Sequence, residues 1–249
     1  SIVPTIARSK FLSYLDKHAK WLLYSLVGMK LKKTFGGRMG FFGIGGAKLD
    51  PEVEAFLKKT GFPYAIGYGL TETAPLICTA SPRNTFPGTT GRPVRGIEVK
   101  LEDVNPQTGE GEICVKGPNV MLGYYKDYER TCSVLTQDGW FRTGDLASID
   151  KKGRYSIKGR LGSVIIGASG ENIYPEEIEN VINSIDGISE SLVVQRDGKL
   201  VALVQFNDNI IDWNLEGQDK FIEDIEARKK AILDFVNSKV SRFMNIKSV

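Results

Sequence analysis

Histidine is almost missing from this sequence. Its single copy, His18, sits in a Lys-rich stretch, so a histidine-based catalytic triad or a histidine-ligated zinc site is all but excluded. Cysteine is scarce as well. Cys78, Cys114 and Cys132 stand far apart with no Cys-x-x-Cys pair, which argues against zinc. They read as reduced, mostly buried thiols of a cytosolic protein. No segment approaches the roughly 20 apolar residues that cross a bilayer. Charge nearly balances, with 33 Lys and Arg against 30 Asp and Glu for a net +3, and no basic patch is interleaved with aromatics. Nucleic acid is therefore not an expected partner. The chain opens Ser1-Ile2-Val3-Pro4 without an initiator Met or a signal-like apolar core, and an excised fragment or a processed chain is expected.

What is present is the composition of an ordinary globular protein, 41% hydrophobic and 25% charged, in 249 residues, enough for two compact domains. From about Ile6 to Thr34, apolar Phe11, Leu15, Ala19, Leu22, Leu23 and Leu26 recur at helical spacing, predicting one or two amphipathic helices. Lysines 10, 17, 20, 30, 32 and 33 flank aromatics there. Packing on the rest of the domain is the expected fate of that face, and contact with a membrane surface is the alternative. Asp50-Pro51-Glu52 starts a helix that ends near Gly61, with Asp50 as N-cap. From Gly88 to Asp150 short alternating strands and turns predict a small antiparallel β subdomain. Beyond Arg160, Val164-Ile165-Ile166 reads as a short buried strand and Tyr174-Pro175-Glu176 as a helix start. Asp197-Gly198 joins two strands in a hairpin, and an amphipathic helix runs from about Asp219 to Val240.

Four stretches carry chemistry. Gly43-x-Gly45 lies in a glycine-dense run, but Lys48 stands where a dinucleotide fingerprint needs its third glycine; tight-turn packing and a nucleotide role both remain open. Gly67-Tyr68-Gly69-Leu70-Thr71-Glu72-Thr73 offers an aromatic for a purine, a hydroxyl for phosphate and a carboxylate for Mg²⁺. The plainer reading is a turn between strand and helix. In Arg142-Thr143-Gly144-Asp145 the carboxylate follows a turn and can accept from both hydroxyls of a ribose. Gly159-Arg160 adds a guanidinium suited to planar, bidentate contact. Singly, Asp145 and Arg160 are a solvated acid and a solvated base; their joint occurrence in this order favours a shared site.

The run Gly67 to Thr73, the run Gly139 to Asp145, and Gly159-Arg160 followed by Gly170-Glu171-Asn172-Ile173-Tyr174-Pro175-Glu176-Glu177-Ile178-Glu179 resemble three motifs of the adenylate-forming family in its own order and spacing. That family includes acyl-CoA synthetases, peptide-synthetase adenylation domains and luciferases. The resemblance covers essentially the whole chain, and Ser169-Gly170-Glu171-Asn172-Ile173-Tyr174-Pro175 looks most like long-chain fatty acyl-CoA synthetases. It implies an α/β and α+β multidomain protein. Residues 1–85 would end a large α/β nucleotide-binding domain, 86–160 would form the small β subdomain, and 161–249 a mobile C-terminal α+β domain.

Position by position, the resemblance implies that Tyr68, beside Gly69, stacks on adenine, that Thr71 touches the α-phosphate, and that Glu72 holds Mg²⁺. Thr71 and Glu72 are the catalytic candidates. Asp145 and Arg160 would take the ribose. Gly45, Gly46 and Ala47 would line the adenine pocket, and the loop Ala168-Ser169-Gly170 would meet the pantetheine arm of coenzyme A. The implied reaction uses ATP and Mg²⁺ to convert a carboxylic acid to an acyl-adenylate, then transfers the acyl group to coenzyme A. The implied partners are small molecules, and the expected location is the cytoplasm, with peripheral membrane contact as the alternative.

Two family features have no counterpart: a glycine- and serine/threonine-rich phosphate loop well upstream of Glu72, and a catalytic lysine near the C-terminus. Ile246-Lys247-Ser248-Val249 resembles only the lead-in to the latter, so Lys247 is not a candidate and the chain alone is expected to be inactive. Glycine stands at the hinge position, Gly162, where the family often has Asp or Lys. An adenylation domain for another acid and a non-catalytic nucleotide-binding module are the rival readings; a nicotinamide oxidoreductase lacks its third glycine.

Overall fold

The computed structural model describes residues 20–46, 48–167, 170–207 and 218–249, with main chain alone at 218–221. The chain folds as two compact units, residues 1–157 and 158–249. His18, Ala47, Ala168, Ser169 and the part of the first predicted helix before Lys20 lie outside the described residues.

The first unit begins with helix α1 (Lys20–Thr34), strand β1 (Phe42–Ile44), helix α2 (Pro51–Lys59) and strand β2 (Tyr64–Gly69). The glycine-dense run thus contains a strand. β1 and β2 are parallel, and such a pair needs a crossover, which α2 supplies. Asp50 caps α2 as expected, its Oδ1 accepting from the N–H groups of Glu52 and Val53 at 2.8 and 2.9 Å, with Pro51 in the first turn. The buried face of α1 keeps only Leu23 of the predicted stripe. Leu23, Val27 and Gly28 are buried, whereas Leu22 and Leu26 are exposed. Gly28 explains the rotation: a Cβ there would lie 2.0 Å from the Thr60 carbonyl oxygen, so only glycine lets the helix come this close to the end of α2.

After β2 come a 3-10 turn (Thr71–Thr73) and the strands β3 (Leu76–Thr79) and β4 (Arg92–Pro93), which extend the sheet in the order β1-β2-β3-β4 with antiparallel pairings. A second sheet follows the order β5-β6-β7-β8, from β5 (Glu98–Glu102), β6 (Glu110–Lys116), β7 (Phe141–Ile149) and β8 (Tyr155–Arg160), with helix α3 (Tyr128–Val134) between β6 and β7. The short antiparallel strands read from the sequence fall in this sheet. Ile77 and Cys78 of β3 share a core with Ile113, Val115, Ala147 and Tyr155, and Tyr68 packs on its edge. One core therefore brings the end of β2 beside β7.

The border between the units falls inside β8. The second unit holds a short antiparallel ribbon, β9 (Ile165–Ile166) with β10 (Asn172–Ile173), then helix α4 (Pro175–Asn183), the hairpin β11 (Ile188–Arg196) and β12 (Lys199–Phe206), and helix α5 (Gln218–Lys239). Asp197 and Gly198 both have positive φ, as a two-residue hairpin turn of type I′ demands. Residues 247–248 add to the edge of β12, with Lys247 N–H donating to the Leu200 carbonyl at 2.8 Å and Ala202 N–H to that of Ser248 at 3.0 Å. Ile178, Ile182, Ala202, Val236 and Ile246 form the core.

One expectation is corrected here. The strand at 164–166 is not buried, since Ile166 is 60% exposed in a ribbon of only two strands that covers one face at most. Cys78 and Cys114 are buried free thiols, each pushed up to about 12 by burial, but Cys132 on α3 is exposed, because that helix buries none of its side chains.

Ile178 fills the centre of the second unit with no exposure. Ile178→Ala should lower stability by about 2–5 kcal/mol through lost burial and a residual cavity. Urea unfolding checks this, and a change within about 0.5 kcal/mol, as at a surface site, would contradict the packing described.

Candidate active site

The site is built where β2 ends. Pairing with β3 slips there, Tyr68 facing Cys78 and Gly69 facing Leu76. A Cβ on Gly69 would fall 1.6 Å from the Pro75 carbonyl oxygen, so the strands close on each other only because this residue has no side chain. The chain then turns through Thr71–Thr73 and on to β3, correcting the plainer reading, in which an α-helix follows the strand.

Within that turn the side chains divide. Thr73 is fully buried; its hydroxyl accepts from Leu70 N–H at 3.1 Å and lies within donating distance of the Leu70 and Pro75 carbonyls. Thr71 is exposed and Glu72 half-buried. The segment after β6 grips the turn from outside. Asn119 Nδ2 donates to the Thr73 and Leu76 carbonyls at 2.9 and 3.1 Å, and Met121 N–H donates to the Glu72 carbonyl at 2.8 Å. The Tyr124 hydroxyl donates to Glu72 Oε1 at 2.9 Å, under an Arg130 guanidinium 4.2 Å from its ring. Burial first, and then the Glu72 carboxylate, raise the Tyr124 phenol above the ordinary tyrosine value.

β7 supplies the other wall. Glu112 pairs with Leu146 and Cys114 with Arg142, so Ile113 alone faces Thr143, Gly144 and Asp145. This bulge is possible because Gly144 takes φ +73°, a conformation L side chains rarely adopt. The Thr143 hydroxyl donates to the Ile113 carbonyl at 2.8 Å and accepts from Asp145 N–H at 3.1 Å. Asp145, 5% exposed, receives the Tyr68 hydroxyl on Oδ2 at 2.7 Å. Burial first, and then the Asp145 charge, push the Tyr68 phenol far above its ordinary value.

Tyr68, Gly69, Thr71, Glu72 and Asp145 thus lie together in the first unit. Gly45 joins them, since a Cβ there would lie 3.4 Å from the Gly67 carbonyl oxygen; Gly46 follows it, exposed, with φ +86°. Arg160, exposed at the end of β8, and Gly170, with φ +85°, belong to the second unit. Sequence reading missed Asn119, Tyr124 and Glu112, whose separation from their partners leaves no periodic signal; Thr143 was inside a recognised motif without a role. Among the described residues, no group of three His, Cys, Asp or Glu could hold a metal ion by itself.

The sequence profile of the AMP-binding enzyme family matches residues 1–125, across β2 and the turn that carries Tyr68, Thr71 and Glu72. The chain belongs to that family. It is 37% identical over 201 residues to the peroxisomal long chain acyl-CoA synthetase 7 of Arabidopsis thaliana, a match covering 76% of this chain and 29% of the relative. It is 35% identical over 174 residues to human long-chain-fatty-acid–CoA ligase 1, covering 68% and 25%. Among solved structures, ATP-bound MatB from Rhodopseudomonas palustris superposes with TM-score 0.65 at 29% identity, covering 92% of this chain and 45% of that one. The O-succinylbenzoate coenzyme A synthetase MenE from Bacillus subtilis, in complex with ATP and magnesium ion, gives 0.64 at 25% identity, covering 87% and 45%. The chain therefore spans under a third of the curated relatives it matches and under half of these solved chains. Its mixed α/β architecture is that of adenylate-forming enzymes, and no helix among the described residues is long and apolar enough to cross a membrane.

Tyr68 also sets an alkaline limit. Its phenol has a raised value in the fold, so its contribution to stability is intact below the unfolded value of about 10 and fades as pH rises toward the folded one. Wild type should lose about 1.4 kcal/mol more per pH unit above about 10 than Tyr68→Phe does. Parallel urea titrations test this; identical slopes would show that the phenol is not held by Asp145.

Proposed function

We propose that the protein is the C-terminal part of an acyl-CoA synthetase that activates a carboxylic acid, preferably a long-chain fatty acid, at the expense of ATP. The observation that carries the reading is the Tyr68–Asp145 hydrogen bond beside the Thr71-Glu72 turn. It sets an aromatic face for adenine next to a buried carboxylate for the ribose hydroxyls. Thr71, exposed three residues on, takes the α-phosphate. The fatty substrate is supported by the names of the plant and human relatives. An aryl acid is the second reading, favoured by 39% identity over 155 residues with a 2-succinylbenzoate–CoA ligase of Staphylococcus epidermidis.

In the first step the acid's carboxylate oxygen attacks the α-phosphorus and pyrophosphate leaves. In the second the thiol of coenzyme A attacks the acyl carbon and AMP leaves. Glu72 suits Mg²⁺ carried in by a nucleotide, which takes one or two protein carboxylates and fills its shell with phosphate oxygens and water. The Tyr124 hydroxyl bond fixes one oxygen of that carboxylate beforehand. When bound, the ion neutralises phosphate charge. Tyr68 and Asp145 hold the nucleoside while Thr71 orients the phosphate. In this reading residues 1–85 end the nucleotide-binding domain, 86–160 are the β subdomain with Arg160 at its boundary for the ribose, and 161–249 turn about Gly162 to bring the loop at Gly170 in for thioester formation.

Asp145→Ala should weaken ATP binding on the order of 10-fold to 100-fold, the loss of a charged hydrogen-bond acceptor. Calorimetric titration reads this directly, and unchanged affinity would refute the ribose assignment. Pyrophosphate exchange with a panel of fatty and aryl acids, in a protein that also carries the phosphate loop and terminal lysine, decides between the two substrate classes.

A further inference from the structure

Glu112 has the geometry of a device and no part in the reaction above. It sits on β6, 4% exposed, opposite the three-residue bulge of β7. Its Oε1 accepts from Gly144 N–H at 3.0 Å, and its Oε2 accepts from Arg142 Nε at 2.8 Å. Arg142 is itself held by Glu102 at 3.2 Å and Asp103 at 2.8 Å. One buried carboxylate therefore grips the bulge at its left-handed glycine and at the residue where the bulge departs from the ladder. The next residue after Gly144 is Asp145.

We infer that Glu112 is a positioning residue: it fixes the Thr143-Gly144-Asp145 bulge and so aims the Asp145 carboxylate at Tyr68 and at a bound nucleoside. The nucleoside half of this rests on the function proposed above. A bulge leaves a backbone N–H outside the ladder, and a buried N–H without an acceptor is costly. Glu112 meets that need from the neighbouring strand, while the Arg142 guanidinium, tethered by two further carboxylates, keeps the Glu112 side chain from swinging to water. A glutamate that merely held the sheet together would need no bond to Gly144.

The test follows the Tyr68 hydroxyl, which faces Asp145, Thr143 and Cys78, by NMR of tyrosine labelled at the phenolic carbon, with Tyr68→Phe for assignment. In wild type, Tyr68 should remain protonated at about pH 11, one unit above the ordinary tyrosine value. In Glu112→Ala it should titrate at lower pH than in wild type, with burial still holding it above the ordinary tyrosine value, and AMP affinity by calorimetry should fall about tenfold, one hydrogen bond's worth. Glu112→Gln, of nearly the same shape, can satisfy Gly144 or Arg142 but not both, so it should fall between. If Glu112→Ala does not fold, as judged by circular dichroism, Glu112→Gln decides. A folded Glu112 variant whose Tyr68 titrates as in wild type would overturn the inference, even with reduced stability. Asp145→Asn separates the underlying reading: if it leaves AMP affinity unchanged while Tyr68 still responds to Glu112, the nucleoside assignment fails and the positioning stands.

Discussion

The hydrogen bond from Tyr68 to Asp145 joins residues 77 apart in sequence and is the contact on which the site depends. A carboxylate that is 5% exposed must be met by donors, or its burial costs more than the surrounding packing returns. Meeting it requires two local departures from regular strands. β2 must end against β3 at a distance only Gly69 permits, and β7 must bulge through a left-handed Gly144. Each glycine is thus fixed by the position of a neighbouring side chain, Tyr68 in one case and Asp145 in the other. The shared core of Ile77, Cys78, Ile113 and Ala147 then holds the two sheets at the separation that the bond needs.

Around that bond the turn at Thr71–Thr73 separates structure from chemistry. Thr73 spends its hydroxyl on the backbone of its own loop, while Thr71 is exposed and Glu72 half-buried. The segment 119–124 braces the outer side with bonds to the backbone of residues 72, 73 and 76 and one to the Glu72 carboxylate. A carboxylate held in this way loses less side-chain freedom when it meets a cation, which is the general advantage of preorganised sites.

Much of this was legible in the sequence. Asp50-Pro51 marks its helix and Asp197-Gly198 its hairpin because both signals act through bonds only a few residues long. Tyr68, Thr71, Glu72 and Asp145 were identifiable as a group by resemblance, and Tyr68 and Asp145 do meet in the fold. Glu112 and Tyr124 were not identifiable, since a strand glutamate and a loop tyrosine look alike whether they face solvent or a partner dozens of residues away. The buried face of α1 was misread for a related reason. Periodicity located an apolar stripe, but the close approach at Gly28 to Thr60 decided which side of it is covered. The burial of Ile165 and Ile166 was overestimated because a run of β-branched residues implies a buried strand only where a larger sheet surrounds it.

The central claim is that Tyr68 and Asp145 form one half of a nucleoside pocket. A crystal structure of the chain soaked with AMP tests it most directly. The account predicts adenine lying on the Tyr68 ring, the ribose hydroxyls within hydrogen-bonding distance of the Asp145 carboxylate, and the phosphate beside Thr71. AMP bound elsewhere on the chain, with Tyr68 and Asp145 untouched, would contradict it.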